Sequence, residues 1–155
     1  MSAATSEDFT SLYQEVIIDH ARRPRNFGEL AGLTRIVEVV NPLCGDQLKL
    51  YLEVTDNTIT DVSFQGAGCA ISQASASLMT MALKGLQQDD ALALFTRVHT
   101  MLTSQSDGGL PPPGVGKLAV LSGVWKYPAR VKCATLAWQA LRSALEGTSH
   151  QNGTE

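Results

Sequence analysis

The chain has 155 residues, the usual size of a single folded domain. It is 44% apolar and 17% charged, so it can bury a core and does not have a disordered composition. The formal net charge of -3, without a long basic run, argues against nucleic-acid binding. The N-terminus lacks the features of a secretory signal, and no apolar stretch is long enough to cross a bilayer. We therefore expect a cytoplasmic protein with no membrane or nucleic-acid partner.

The first half of the chain predicts one helix followed by three strands. Apolar residues recur at helical spacing over 7–20, and Pro24 stops this helix. Three runs with strand character follow at 34–40, 47–55 and 58–66. The letters TDNT between the last two runs are typical of a turn, so these two strands are expected to form an antiparallel hairpin.

The second half of the chain predicts helices only. Helical spacing begins at Ala70, and Gly85 is expected to end that helix. Further helices are predicted over 89–103, over about 117–123 and from Pro128, a residue that the first turn of a helix tolerates. Because strands and helices are segregated along the chain, the predicted fold class is α+β.

Two segments lack the pattern of a regular element. Glycines and prolines predict a mobile loop over about 104–116, and residues 148–155 form a polar tail. We expect one domain over 1–155 with an ordered core over about 7–147.

The three histidines are weak candidates for a functional site. His20 lies where a helix is expected to end, and a cation is favourable there without any ligand. His99 shares one side of its predicted helix with Leu92 and Phe95 and is expected to be a buried core residue. His150 lies in the polar tail.

The three cysteines are stronger candidates because each stands at a junction between elements. Cys44 precedes a predicted strand, Cys69 opens a predicted helix, and Cys133 lies near the start of the last helix. Cys44 and Asp46 are two residues apart, so in an extended chain their side chains leave the same face, and Gly45 lets the backbone bend.

Three thiolates and one carboxylate are suitable ligands for a tetrahedral Zn²⁺, and thiolates also suit iron–sulfur clusters. The alternative is that each cysteine is a small buried apolar residue. The spacing by itself decides little, because no CxxC pair is present.

Four motifs carry a resemblance to a known family: LYQEVIIDHARRPRN, NPLCGD, GAGCAISQASASLM and YPARVKCATLAWQAL. Together they resemble the U-type iron–sulfur cluster assembly family, which includes IscU and the N-terminal part of NifU. The resemblance implies a three-stranded antiparallel sheet with helices packed on one side. It also implies a metal site built from Cys44, Asp46, Cys69 and Cys133.

Within this family the chain is most similar to the SufU type. IscU-type members carry a histidine directly before the third motif cysteine, where this chain has Lys132. Residues 86–116 resemble the extra segment of SufU-type members. The SufU type implies zinc and a pyridoxal-phosphate cysteine desulfurase, SufS, which would pass persulfide sulfur to Cys44. Arg130 could stabilise the thiolate or persulfide anion, or simply be a solvated helix residue.

Two other functions stay open at this stage. The same four residues could hold a transient [2Fe–2S] cluster, in which case the protein would be a scaffold that passes the cluster to apo-proteins. Alternatively, the zinc could be purely structural in a protein-binding module. A SufBCD-type scaffold is the expected downstream partner of the sulfur-transfer route.

Overall fold

The computed structural model describes residues 6–30, 35–41, 45–103, 115–121 and 128–146, with the backbone alone for 6–13, 117, 119 and 128–130. The elements in chain order are α1 (Ser6–Arg22), β1 (Arg35–Asn41), β2 (Asp46–Thr55), β3 (Thr58–Ala67), α2 (Ala70–Leu83), α3 (Gln88–Thr103), a 3₁₀ helix (Gly116–Leu121) and α4 (Pro128–Glu146).

Several sequence predictions lie outside these described residues. They concern Cys44, the side chain of Arg130, most of the predicted loop (104–114) and the polar tail with His150. The single-domain organisation stays a prediction as well. Among the helices that the structure does describe, none is long and apolar enough to cross a membrane.

The three strands form one antiparallel sheet in the order β1-β2-β3. The predicted hairpin joins β2 to β3, with Thr55 paired to Thr58 across a two-residue turn. Asp56 and Asn57 both have positive φ, 52° and 65°. Two consecutive left-handed residues are what a tight hairpin of this twist requires, and Asn and Asp tolerate that conformation best after glycine.

One face of the sheet is buried beneath the helices. Helix α4 packs against β1 and β2, and α2 packs against β3. This arrangement confirms the predicted α+β class, with the helices on one side of a three-stranded antiparallel sheet. Burial alternates along β1, as the two-residue period requires, whereas β2 and β3 each also bury one residue between two core residues, Tyr51 and Ser63. The apolar residues of the buried face include Val37, Val39, Leu48, Leu50, Leu52, Val62 and Phe64.

Helix α2 is the central helix, and its serine and threonine hydroxyls bond to the segment that follows α1. Ser77 Oγ accepts a hydrogen bond from the Arg25 backbone N–H at 2.8 Å and lies 2.7 Å from His20 Nδ1. His20 is in the last turn of α1, as predicted, but it is only 6% exposed. The predicted position of His20 at the end of α1 is therefore confirmed, and its burial follows from the packing of α1 against α2.

The orientation of α3 also differs from the prediction. His99 is exposed and stacks on the Phe95 ring with 5.6 Å between centroids, so its assignment to the core was wrong. Two apolar stripes run along this helix, and the buried one contains no polar residue. It consists of Ala91, Leu94, Val98, Met101 and Leu102.

We predict that Gly66→Ala will strongly destabilise the protein. Gly66 pairs with Leu48 across β2 and β3, and an added Cβ would overlap the backbone oxygen of Gln47. Because backbone in a paired strand cannot yield cheaply, we expect a loss of at least about 2 kcal/mol in the free energy of unfolding.

Urea unfolding of the metal-free protein measures this loss. The exposed neighbour Ala67 gives the control, Ala67→Ser, which should unfold like the native protein. An unchanged midpoint for Gly66→Ala would contradict the register of the hairpin described above.

Candidate metal centre

Three potential metal ligands from three separate elements meet at one end of the sheet. They are Asp46 at the start of β2, Cys69 directly before α2, and Cys133 in the second turn of α4. Their ligand atoms all lie within 4.8 Å of one another. Asp46 and Cys133 are 2% and 1% exposed, whereas Cys69 is half-buried. Residues far apart in sequence are thus brought together, as the resemblance predicted for these three positions.

The connection from β1 to β2 places Asp46 at this end. Asn41 pairs with Asp46 across the two strands, and the Gly45 N–H donates to the Asn41 carbonyl oxygen at 2.8 Å. Gly45 has a φ of 74°, which glycine adopts without strain. Asp46, the first residue of β2, follows directly.

The Asp46 carboxylate links the sheet to the start of α2. Its Oδ1 accepts a hydrogen bond from the Cys69 backbone N–H at 3.1 Å, and its Oδ2 lies 4.0 Å from Cys69 Sγ. Cys69 is the N-cap residue, and its own side chain makes no capping hydrogen bond. Asp46 therefore supplies the start of α2 with an acceptor from a neighbouring element, an arrangement that the helix dipole also favours.

The loop before Cys69 must come very close to Asp46. A Cβ at Gly68 would lie 2.6 Å from Asp46 Oδ1 and would overlap Ser72 Oγ, so a larger residue would have to displace both side chains. Ser72 Oγ donates to the Cys69 carbonyl oxygen at 3.0 Å. Gln73 Nε2 donates to the carbonyl oxygen of Gly66 at 3.2 Å. Side chains in the first turn of α2 are thus hydrogen-bonded to the backbone of the loop that precedes the helix.

Cys133 reaches the same place because α4 packs against α2 through a buried hydroxyl. Ser75 Oγ donates to the Ala134 carbonyl oxygen at 2.6 Å and accepts from Trp138 Nε1 at 3.2 Å. Ser75 and Trp138 are both fully buried. The contact lies one residue along the chain from Cys133.

This donor set is suited to a metal ion that prefers sulfur. Neither Cys69 nor Cys133 forms a disulfide. The Cys69 thiol stands at the N-terminus of α2, whose first turn carries no acidic residue. Two sulfurs and one carboxylate oxygen provide three positions of a tetrahedral site. Lys132, beside Cys133, is exposed.

The fold and the donor set agree with the family to which the chain belongs. The family model described as NifU-like N terminal domain matches residues 12–152, and the chain is a member of that family. Some relatives in this family are named as scaffold proteins and one is named as a sulfurtransferase.

Two curated relatives illustrate those names. The chain is 39% identical over 139 residues to the iron-sulfur cluster assembly scaffold protein IscU of Streptococcus pyogenes serotype M1, covering 90% of this chain and 86% of the relative. It is 40% identical over 136 residues to the zinc-dependent sulfurtransferase SufU of Bacillus subtilis (strain 168), covering 87% of this chain and 90% of the relative.

A solved structure shares the fold. It is the putative iron-sulfur cluster assembly scaffold protein for the SUF system from Fervidobacterium islandicum AW-1, with a TM-score of 0.78 and 33% sequence identity. The similarity covers 87% of this chain and 97% of that one.

Three buried hydroxyls of α2 were missed from the sequence. Ser72, Ser75 and Ser77 were not among the predicted site residues, yet all three are buried and hydrogen-bonded. The available signal was that three serines occur close together on one strongly apolar helix. Such a helix is buried on more than one side, and buried hydroxyls need partners.

We predict that Asp46→Ala and Asp46→Asn will separate the capping role of this residue from its charge. Alanine removes the acceptor of the Cys69 N–H, so the metal-free protein should lose about 1–2 kcal/mol in free energy of unfolding. Asparagine keeps an oxygen at the same place and should lose clearly less.

Chemical denaturation in the presence of a chelator measures both variants without a contribution from metal. Equal stability of native protein, Asp46→Ala and Asp46→Asn would show that the bond between Asp46 and Cys69 contributes nothing to the fold.

Proposed function

We propose that this protein serves iron–sulfur cluster assembly as a zinc-dependent sulfur acceptor. In this proposal a SufS-type pyridoxal-phosphate cysteine desulfurase passes persulfide sulfur to Cys44. The observation that carries the proposal is the cluster of Asp46, Cys69 and Cys133, with all ligand atoms within 4.8 Å. The names of the relatives support it, since one is called a zinc-dependent sulfurtransferase and another an iron-sulfur cluster assembly scaffold protein.

The proposed ligands are Asp46, Cys69, Cys133 and Cys44. Cys44 is two residues before Asp46 in sequence, so covalent geometry keeps their Cα atoms within about 7.6 Å. The donor set of three sulfurs and one oxygen fits Zn²⁺. When bound, the ion would hold the cysteines as thiolates and fix their orientation.

Burial argues against Cys69 and Cys133 as the sulfur acceptor. Cys133 is 1% exposed, so the persulfide of another protein cannot reach it without opening the fold. Cys69 is half-buried, and its backbone is tied to Asp46. Cys44 directly precedes Gly45, which is exposed.

The transfer itself is a thiol exchange without net oxidation. The Cys44 thiolate attacks the terminal sulfur of the desulfurase persulfide, and a new S–S bond forms as the old one breaks. The electron pair of the broken bond leaves with the desulfurase cysteine as a thiolate. Cys44 then carries the persulfide, and the Arg130 guanidinium, three residues before Cys133, would stabilise this anion.

The residue beside Cys133 favours sulfur transfer over cluster scaffolding. Lys132 stands where the IscU type carries a histidine, and its side chain is exposed. A lysine ammonium has three donors and no lone pair, so it cannot replace an imidazole as a cluster ligand.

The proposed partner would approach the open side of the centre. Gly45, Ala67, Gly68 and Lys132 are all exposed there. A side chain of the desulfurase could replace Cys44 as a ligand and so free its thiolate for attack. The persulfide would then pass to a downstream assembly protein such as a SufBCD-type scaffold.

Alanine release tests the proposal. Zinc-loaded native protein, mixed with its cognate cysteine desulfurase, cysteine and a mild reductant, should raise the rate of alanine release several-fold. Cys44→Ala should abolish this rise because the acceptor sulfur is missing. Removal of zinc by a chelator should also abolish it, and zinc added back should restore it.

Binding of Cys44→Ala to the desulfurase and its thermal unfolding are the controls. If native protein binds the desulfurase but does not raise alanine release, the sulfur-acceptor role is wrong. Anaerobic assembly of a [2Fe–2S] cluster on the native protein would then support the scaffold function. A Cys44→Ser variant that loses as much stability as activity would instead indicate a structural zinc site.

A further inference from the structure

We infer that Ser75 is a positioning residue of the metal centre: its hydroxyl fixes α4 against α2 and so sets Cys133 opposite Cys69. This inference rests on the proposed metal site. Ser75 is not itself a proposed ligand, and its described hydrogen bonds go to Ala134 and Trp138.

Ser75 stands between the two helices that carry the cysteines. Its Oγ donates to the Ala134 carbonyl oxygen at 2.6 Å, and Ala134 directly follows Cys133. The N-cap of its own helix is Cys69, six residues earlier, which is about 9 Å along the helix axis. One hydroxyl therefore connects the helix that Cys69 caps to the backbone next to Cys133.

The hydrogen bonds of Ser75 restrict the relative position of the helices more than apolar packing does. Apolar contacts are non-directional, whereas a hydrogen bond weakens steeply outside a narrow range of distance and angle. Trp138 Nε1 donates to the same oxygen at 3.2 Å, which leaves the hydroxyl proton of Ser75 for the Ala134 carbonyl oxygen. Metal–ligand distances tolerate changes of only about 0.2 Å, so even a small slide of α4 should weaken binding.

Ser77 provides a matched control on the same helix. It is also fully buried, and its Oγ also has two partners, His20 Nδ1 and the Arg25 backbone N–H. Those partners belong to α1 and the segment after it, which carry none of the proposed ligands. Ser77→Ala should therefore cost stability as Ser75→Ala does, but should leave the metal centre unchanged.

The test is titration of metal-depleted protein with Co²⁺, followed by competition with Zn²⁺. The thiolate-to-cobalt absorption reports sulfur ligation, and the visible bands report how tetrahedral the site is. We expect Ser75→Ala to bind metal about tenfold more weakly, with shifted visible bands. Ser77→Ala should keep the native affinity and spectrum.

A double-mutant cycle with Trp138→Phe distinguishes positioning from stability. In the native protein Ser75→Ala leaves the buried indole N–H without an acceptor, which lowers stability. In the Trp138→Phe background no indole N–H remains, so Ser75→Ala should cost less stability there. The loss of metal affinity should be the same in both backgrounds, since Ser75→Ala removes the bond to the Ala134 carbonyl oxygen in each of them.

Three results would overturn the inference. The first is a loss of affinity that shrinks together with the loss of stability in the Trp138→Phe background. The second is equal weakening of metal binding by Ser77→Ala. The third is native affinity and spectrum in Ser75→Ala, which would leave the proposed function intact. If native protein shows no thiolate-to-cobalt absorption at all, the proposed centre fails and the inference fails with it.

Discussion

The hydrogen bond from the Cys69 backbone N–H to the Asp46 carboxylate is the contact on which the rest of the site depends. It joins the first residue of β2 to the N-cap of α2 over 3.1 Å. Without it, the start of α2 would need another acceptor, because the Cys69 side chain provides no cap. The same carboxylate turns its second oxygen toward Cys69 Sγ, so one side chain serves both helix and site. The position of α2 relative to the sheet is thus fixed at the point where the ligands meet.

Helix α2, once positioned by this contact, in turn positions α4. Helix α2 packs against α1, α4 and β3, so it carries the position of the sheet to the other helices. Ser75 then ties α4 to α2 beside Cys133. The centre is therefore held by a series of directional polar contacts inside an otherwise apolar core. Directional contacts are suited to positioning these helices. Apolar burial brings helices together but specifies their exact register less closely.

The sequence predicted those features that depend on local pattern. The hairpin of β2 and β3 followed from strand alternation on both sides of a turn containing Asp56 and Asn57, and both residues adopt positive φ. The start of α4 at Pro128 and the end of α2 near Gly85 followed from where these residues are tolerated in helices. The family motifs also predicted that Asp46, Cys69 and Cys133 would lie together, and their ligand atoms are within 4.8 Å of one another. Their binding of a metal stays a prediction.

Features that depend on a neighbouring element could not be predicted in this way. The apolar residues of α3 form two stripes, and only its packing partners decide that Leu94 and Val98 face inward while His99 faces outward. His20 was placed in the correct turn, but its burial depends on Ser77, which lies 57 residues away. The role of Ser75 is of the same kind. A serine in an apolar helix indicates that a partner is needed, and the sequence cannot name Ala134 as that partner.

The three described site residues are buried to different degrees, and this limits which ligand of the proposed centre can be exchanged. Asp46 and Cys133 are enclosed, so replacing either would require α4 or β2 to separate from the core. Cys69 is half-buried beside the exposed Gly68, and Gly45 is exposed on the chain that leads from Cys44. Exchange therefore costs least at the exposed edge that carries Gly45 and Gly68. A site with two enclosed ligands and one accessible edge can release one ligand to a partner and still keep its remaining contacts, which is the property that a sulfur acceptor requires.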